Sequence, residues 1–276
     1  MFALLSFFIT SQAYVDPACQ DVAAQGVPEG YSEQGQQDFL LNYFALATTF
    51  SATHAPIPSD PKTGMIGVEL AVIPPLGCER RLVLNYTKTE DTNKVPVLPR
   101  PRVGFVFPSI DIAGTQMSIY GSLGYVPPLQ IMGTQNVIVS AEAGVGFGNP
   151  EKGFQYGLRY HATLMKSIAE IATPFEEGGE TKPDFYMGST FGADVMLGFK
   201  QSHYTPYLAI GFTDVSTFFY IDDDGLVINN ENPYAGVTTS VGIQAQLLKN
   251  LQFSTEGYIV QGNIITVRSN ISLLFK

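Results

Sequence analysis

The feature that most constrains this chain is an alternation of apolar and polar residues that runs from about residue 64 to the C-terminus. In the clearest segment, Val237 to Leu247, the odd-numbered positions are mostly apolar and the even-numbered positions are polar or glycine. A period of two predicts β-strands with one apolar face. Strands are predicted to start near Gly64, Arg102, Thr115, Asn136, Phe154, Phe185, Tyr204, Val237, Leu251 and Ile264.

These segments number about ten, and several contain 11 or more residues. Strands in soluble proteins usually have about 5 or 6 residues, whereas a tilted strand that crosses a bilayer needs about 9 to 11. The pattern therefore predicts an all-β fold, a transmembrane antiparallel up-and-down β-barrel over residues 64–276. It has about ten strands, or twelve if the stretch RRLVLNY at residues 80–86 hides another.

Composition favours a membrane barrel over a soluble or helical fold. The chain is 45% hydrophobic but only 14% charged, whereas soluble domains have about 25% charged residues. It contains no run of about 18 apolar residues, which a transmembrane helix would need. A barrel with lipid outside and small polar groups inside fits both facts. The net charge of −10 argues against a nucleic-acid partner, because phosphate binding needs a basic surface.

Connection lengths predict the orientation of the barrel, because outer-membrane barrels have long extracellular loops and short periplasmic turns. Connections after odd strands tend to be long and those after even strands short. The long ones are 75–99, 172–183 and 221–233, and the short ones are 148–153, 200–203 and 248–250. A soluble β-sandwich would also show a period of two, but rarely this asymmetry.

Aromatic residues are predicted to form a girdle at each membrane interface. Asp214 falls in the apolar phase of its strand, so it needs a bulge or a place above the lipid. The inner girdle contains Phe107, Phe147, Phe154, Phe199 and Phe275, and the outer girdle contains Tyr125, Phe185, Phe218, Phe219 and Tyr234.

The first residues, MFALLSFFITSQA, are interpreted as a signal peptide (1–13) cleaved after Ala13; a buried N-terminal helix is the alternative. Residues 14–63 form a separate N-terminal segment with a helix at 38–50, which Asp38 can cap. Phe39, Tyr43, Leu46 and Phe50 recur at helical spacing. Because this helix is apolar nearly all round, we expect it to plug the lumen, seal the periplasmic mouth or lie at the membrane interface.

Cys19 and Cys78 are expected to pair in an oxidising periplasm, with two free thiols as the alternative. With Cys78 in the first extracellular loop, the bond requires the N-terminal segment to thread the lumen, unless the strand parity is inverted. A helix about 10 Å across fits tightly inside ten strands, so the bond would also favour twelve.

The polar phase of the strands places a set of mixed charges in the lumen. A structural salt-bridge network is the main interpretation, and a polar path for a small solute is the alternative. His161 with Asp194 or Glu142 could act as an acid–base pair, but no nucleophile has a recognisable spacing. The set is Glu69, Arg102, Glu142, Arg159, His161, Asp194, Lys200, Glu256 and Arg268.

We therefore predict no catalytic residues, no metal site and no cofactor. The acidic stretch 222–224 is interpreted as a solvated loop tip, because it lacks the alternate ligands of a calcium loop.

The ending NISLLFK resembles the C-terminal strand of Gram-negative outer-membrane proteins, with Lys276 added after the aromatic Phe275. The resemblance implies insertion by the barrel-assembly machinery into the outer membrane, with lipid and lipopolysaccharide as partners. An N-terminal segment inside a barrel is similar in architecture to the hatch of the long-chain fatty-acid and hydrocarbon transporter family. The first functional hypothesis is passive transport of, or a channel for, a small molecule that can be hydrophobic. The second is a structural or interaction barrel with a filled lumen, and the third is an outer-membrane enzyme.

Overall fold

The computed structural model describes residues 14–49, 51, 53–90, 97–112, 114–131, 134–169, 184–221 and 226–276. The predicted signal peptide 1–13, Phe50 and the acidic stretch 222–224 lie outside these residues. No helix in the described ranges is long and apolar enough to cross a membrane.

Ten antiparallel strands close into a barrel, as predicted. Each strand pairs with its neighbours in sequence, and β1 pairs with β10 from Gly64↔Phe275 to Val72↔Val267 to complete the ring. The strands are β1 Thr63–Val72, β2 Val97–Val106, β3 Thr115–Ile131, β4 Thr134–Gly148, β5 Gly153–Ala169, β6 Asp184–Lys200, β7 Tyr204–Ile221, β8 Ala235–Leu248, β9 Leu251–Val260 and β10 Ile264–Phe275.

The alternative of twelve barrel strands is wrong. Within residues 80–86, Leu82–Val83 pairs only with Lys88–Thr89, in a small separate hairpin. The chain turns back there because Leu84, Asn85 and Tyr86 all have positive φ angles, 51°, 55° and 67°. Two other short strands, Ile110–Ile112 and Leu226–Asn229, extend β3 and β7 outside the ring.

The outer surface of the barrel is apolar and the inner surface is polar. In β6, Val195 and Leu197 are each 56% exposed, whereas Asp194 between its apolar neighbours is 5% exposed. The same alternation holds in β8, where Val241 and Ile243 face outward and Gln244 is buried. This is the inverse of a soluble protein and matches a barrel whose wall contacts lipid.

The structure bears on two predictions about β7, the position of Asp214 and the position of Phe219. Asp214 is exposed on the outer face opposite Ala235, the first residue of β8, so it lies at the rim, and β7 needs no bulge. Phe219 was predicted for the outer girdle, but it is buried in the lumen. The reason is the alternation itself, since Val215 and Thr217 face inward in the same phase. Tyr234 is half-buried and packs against the lumen cluster of Tyr43.

The N-terminal segment contains a 3-10 turn, Pro17–Cys19, and helices α1 Gln20–Ala24 and α2 Glu33–Thr48; α3, Cys78–Arg81, follows β1. The predicted start of the plug helix at Asp38 is therefore wrong by five residues. Ser32 caps α2 by accepting the N–H of Gly35. Asp38 lies inside the helix and accepts bonds from the N–H of Glu231 and the amide of Asn232 instead.

Helix α2 lies inside the barrel, in the half nearest the long connections, which we call the outer half. Leu41 packs on one wall, and Tyr43 and Leu46 pack on the other. The inward side chains that surround it are Leu98, Val126, Ile138, Met165, Tyr186, Val215, Phe219, Tyr258, Val260 and Ile264.

Ten strands therefore accommodate the helix, contrary to the expectation that it would need twelve. The last turn of α2 contains the small residues Ala45, Ala47 and Thr48. The helix with its side chains is therefore less wide where it enters the middle of the barrel. Arg100 closes its C-terminal end by donating to the carbonyls of Thr48 and Thr49, which is the favourable position for a cation at a helix dipole.

Above α2, residues 14–32 pack on residues 73–90 to form what we call the outer cap. The predicted Cys19–Cys78 disulfide is confirmed and joins these two stretches. Asp16 pairs with Arg81 at 3.0 Å; a hydrogen bond from the N–H of Ala18 and this pairing lower the pKa of Asp16.

Glu33 holds the start of α2 to the same cap. Its carboxylate accepts the Tyr31 hydroxyl at 2.5 Å and the N–H of Asn85 at 3.0 Å. Burial raises the pKa of Glu33, but these hydrogen bonds outweigh it and leave the pKa below its usual value. The carboxylate is thus the charged acceptor that the turn at residues 84–86 requires.

The outward phase generates a test of lipid contact. Val241→Arg places a cation near the middle of the apolar belt and should lower the free energy of unfolding by about 2 to 4 kcal/mol. Leu247→Arg, on the same face of β8 but near its periplasmic end, should cost at most about 1 kcal/mol. Urea unfolding in lipid vesicles measures both, and equal losses would contradict the assigned depth.

The outer cap generates a second prediction. In Cys19→Ser/Cys78→Ser, the loss of a cross-link spanning about 60 residues removes about 4 kcal/mol of loop-entropy stabilisation. Protease added to intact cells should then cut within residues 14–32, while the final barrel keeps its heat-modifiable migration on gels. The wild-type protein is the control. Equal protease resistance in both proteins would show that the noncovalent contacts suffice to hold the cap.

Candidate functional site

Residues 53–62, which we call the strap, connect α2 to β1 through the inner half of the lumen. The N–H of Ala55 donates to the Gln244 side chain at 2.9 Å, and the amide of Gln244 donates to the carbonyl of Pro58 at 3.0 Å. Ser254 donates to the carbonyl of Thr53 at 2.5 Å. The strap is therefore fixed by polar contacts, whereas α2 combines apolar packing with hydrogen bonds such as those that Asp38 accepts from Glu231 and Asn232.

The first cluster of lumen charges joins the strap to three strands. His54 Nε2 lies 2.6 Å from Glu142 Oε1. Arg102 donates to Glu142 at 3.0 Å and lies 3.8 Å from Glu69. Arg100 donates to Glu69 at 2.6 Å. Two carboxylates are thus shared among three cationic or protonatable groups.

A second cluster lies on β5 and β6. Arg159 donates to Asp194 at 2.8 Å, and His161 Nε2 lies 3.5 Å from the same carboxylate. Gly192 faces the lumen beside the His161 ring, where an added Cβ would collide with the ring. A glycine at this position therefore makes room for the imidazole.

A third cluster lies on β7, β9 and β10. Tyr207 donates to Glu256 at 2.9 Å. Arg268 lies 4.0 Å from Glu256, donates to Ser51 at 2.7 Å and stacks 3.9 Å above the Tyr258 ring. The Arg268 guanidinium is thus compensated by an anion, a hydroxyl and an aromatic face.

The structure thus places the eight residues proposed for the lumen network inside the barrel and groups them into three clusters. Half-buried Lys200 lies apart, as the last residue of β6. Sequence reasoning missed Arg100 and His54. Arg100 lies between Pro99 and Pro101, which hid the start of β2, and His54 lies near the start of the proline-rich strap. The signal available was charge: a histidine and an arginine in apolar, proline-rich contexts need partners.

A cavity of about 20 Å³ in the inner half of the lumen is lined by Thr53, Gln252 and Asn270 together with His54 and Arg102. One side-chain oxygen each of Thr53, Gln252 and Asn270 has no hydrogen-bond partner among the described residues. A space of this size with several polar partners suits one water molecule.

Neither a metal centre nor an accessible acid–base site appears in the described residues. No group of three or more His, Cys, Asp and Glu residues that could hold a metal ion occurs in the described ranges. His161 is fully buried and Asp194 is 5% exposed, so their pair has no contact with bulk solvent.

The wall of the barrel has a seam between β2 and β3. The two strands pair only from Arg102↔Gly124 to Val106↔Tyr120. Residues Val97–Pro101 continue to pair with β1, but within the described ranges no ladder pair joins them to β3. The seam lies in the outer half, at the height of α2.

Prolines explain why the ladder ends there. Pro99 and Pro101 remain in the ladder with β1, opposite Leu70 and Val68. A proline fits a ladder only where its nitrogen points away from the partner, so both nitrogens face β3 without an N–H. On β3, the ladder with β4 is also irregular between Val126 and Leu129, where Pro127 and Pro128 lack an N–H.

Both faces of the seam are apolar. Val97 and Tyr125 are exposed on the lipid side, and Leu98 and Val126 are buried on the lumen side. Leu98 and Val126 belong to the same cluster as Leu41 of α2. The seam is therefore apolar on both faces at the level of Leu98 and Val126, and Arg100 below Leu98 turns inward to Glu69.

Comparisons with known proteins find likeness in structure alone. No protein-family model matches the sequence, and a search of curated proteins gives no match. The chain is similar to the attachment invasion locus protein Ail of Yersinia pestis (9% identity, 78% of this chain and 100% of that chain, TM-score 0.34). It is also similar to the translocator domain of the autotransporter NalP from Neisseria meningitidis (8%, 97% and 99%, 0.38). A third is the outer membrane phospholipase of Salmonella typhi (10%, 89% and 99%, 0.33).

The class of the protein follows from its own geometry. The ring is closed, the outer face is apolar and the lumen is polar, so the wall matches lipid and the interior does not. The connections of more than ten residues all lie at one end, which also has two tight turns, and those at the other end have eight residues or fewer, as in barrels of Gram-negative outer membranes. The protein is a ten-stranded outer-membrane β-barrel with a disulfide-bonded N-terminal segment in its lumen.

Proposed function

We propose that the protein is a passive transporter for a small apolar molecule. The molecule enters the outer half of the lumen from the cell exterior and leaves through the β2–β3 seam into the outer leaflet. The seam is the observation that supports this proposal. A gap in a hydrogen-bond ladder within lipid costs free energy, so its presence in the wall favours a functional reason for it.

The packing around α2 supports an apolar substrate. Behind the seam, Leu98 and Val126 contact the cluster of Leu41, and half-buried Phe44 packs against the same cluster. Ile73 packs against this cluster and against the cluster of Tyr43 and Leu46. A continuous apolar surface thus leads from the mouth to the seam. A small shift of α2 opens it, so the helix acts as the plug.

The inner half of the lumen stays closed in this proposal. The strap and the charge clusters fill it, and a charged, hydrated layer repels an apolar molecule. The transported molecule therefore reaches the membrane and not the periplasm directly. This route avoids the lipopolysaccharide layer, which is the main barrier for apolar molecules at the cell surface.

A second candidate is a structural or interaction barrel with no transport. The observation that favours it is the filled lumen, in which a disulfide at the outer end and polar contacts at the inner end fix residues 14–62. In this candidate the outer cap is the functional surface. An enzyme is a third candidate, and buried His161 and Asp194 give it little support.

Export and assembly complete the proposal. Residues 1–13 serve as the signal peptide, and the barrel-assembly machinery inserts the chain. β10 supports this role because Ile271, Leu273 and Phe275 are exposed on its lipid face. Lipopolysaccharide is the proposed neighbour of the outer rim.

Sealing the seam tests the transporter. Pro99→Val/Pro127→Val restores one N–H donor on each strand of the seam, so the β2–β3 ladder can extend. We expect uptake of an uncharged aromatic dye by intact cells to fall several-fold. Pro206→Val is the control, because Pro206 lies on β7, away from the seam. No dye uptake above barrel-free cells would end the transporter proposal, and uptake unaffected by sealing would place the route elsewhere.

Removing the lumen segment tests whether the barrel is filled. Purified wild-type protein should give no liposome swelling with small sugars, because the strap and α2 occupy the lumen. Deletion of residues 14–55 should give swelling and a stable single-channel conductance, since the lumen charges then face water. Conductance by the wild-type protein equal to that of the deletion would contradict a filled lumen.

A further inference from the structure

We infer that the Cys19–Cys78 disulfide forms in the periplasm before the barrel closes. The species that closes is then a chain whose N-terminal segment is already cross-linked to the far end of β1. The partner is a periplasmic thiol oxidase that carries a reactive disulfide. This inference goes beyond the proposed transport function and does not depend on it.

The disulfide closes a ring through the barrel. Cys19 and Cys78 are 59 residues apart, and the ring between them contains α2, the strap and β1. α2 and the strap lie inside the lumen, β1 is part of the wall, and both ends of the ring belong to the outer cap. Both sulfurs lie at the outer end, whereas the turn from the strap into β1 lies at the inner end.

The N-terminal segment cannot enter the lumen after the barrel has closed. To reach its position from the periplasm, residues 14–37 would have to cross the inner half, including α1 and the start of α2. A helix is about 10 to 12 Å wide with its side chains. The inner half is occupied by the three charge clusters and the strap, and its cavity there is about 20 Å³. The segment must therefore be in place when β1 pairs with β10.

The folded protein also hides the sulfurs from an enzyme. Cys19 is fully buried and Cys78 is half-buried. Thiol–disulfide exchange passes through a mixed disulfide, which requires an enzyme cysteine to reach the sulfur directly. Because both sulfurs lie at the outer end of the barrel, a periplasmic oxidase can make that contact only before the barrel has closed in the membrane.

The chemistry is a two-step exchange. The Cys78 thiolate attacks the oxidase disulfide, forms a mixed disulfide and displaces one oxidase thiolate. The Cys19 thiolate then attacks the Cys78 sulfur, forms the protein disulfide and releases the second oxidase thiolate. The two cysteines lose two protons to water and two electrons to the oxidase, which becomes a dithiol. Arg80 and Arg81 follow Cys78 closely, and cationic neighbours favour the thiolate.

The cross-link holds the plug where closure needs it. Before β10 arrives, β1 is an open edge, and an untethered segment of about 50 residues would sample many positions outside the sheet. With Cys19 bonded to Cys78, residues 20–62 remain next to β1. The later strands then close around them.

Pulse–chase in a Gram-negative host orders the two events in the wild-type protein. Thiol alkylation reports oxidation, and heat-modifiable migration reports barrel closure. We expect an oxidised but unclosed species to appear before any closed barrel. A reduced closed barrel that precedes the oxidised form would overturn the inference.

A host lacking its periplasmic thiol oxidase supplies the second measurement. The yield of closed wild-type barrel should fall several-fold there. Cys19→Ser/Cys78→Ser should close to the same extent in both hosts, because it is no substrate for the oxidase. If the wild-type yield were unchanged, or if the variant lost as much as the wild type, oxidation would not assist closure. Dye uptake plays no part in either measurement, so failure of the transport proposal leaves this test intact.

Discussion

A backbone N–H or C=O that lacks a partner inside a bilayer costs several kcal/mol. The closed ring of ten strands satisfies this constraint, and the pairing of β1 with β10 removes the last pair of edges. The rest of the structure depends on that closure. It gives the wall its alternation, because every strand has lipid on one side and the lumen on the other. It also creates an interior that the chain must fill from its own N-terminus.

Charge neutrality governs the inner half of that interior. Four arginines and four carboxylates are buried there or at its border, namely Arg100, Arg102, Arg159, Arg268, Glu69, Glu142, Asp194 and Glu256. A buried charge without a partner costs several kcal/mol, and removing one partner of a buried pair is correspondingly harmful. The clusters therefore constrain one another, and His54 extends this constraint to the strap through Glu142.

Most of the fold could be predicted from the period of two in the sequence. Nine of the ten strands start within two residues of the predicted positions, since lipid on one face and polar contacts on the other leave a strong pattern. The exception, β2, begins at Val97 and not at Arg102, because Pro99 and Pro101 look like loop residues.

The start of α2 was missed for a related reason. Ser32 is a common residue in a polar stretch, and only the folded chain shows that Asp38 bonds to Asn232. Which lumen charges meet could not be predicted, because pairing depends on barrel shear and on the path of the strap.

The position of the seam along the barrel axis follows from the way the N-terminal segment fills the lumen, with α2 in the outer half and the strap in the inner half. Where α2 lies, Leu98 and Val126 pack against Leu41 on the lumen side and Val97 and Tyr125 are exposed on the lipid side, so the unladdered stretch of wall has apolar side chains on both faces. One layer lower, Arg100 turns inward to Glu69 and to the last carbonyls of α2. At that level the ladder resumes with Arg102↔Gly124. A seam placed lower would bring lipid against ion pairs and strip them of their partners. The ladder is therefore interrupted beside the helix, where apolar side chains of the lumen back the wall.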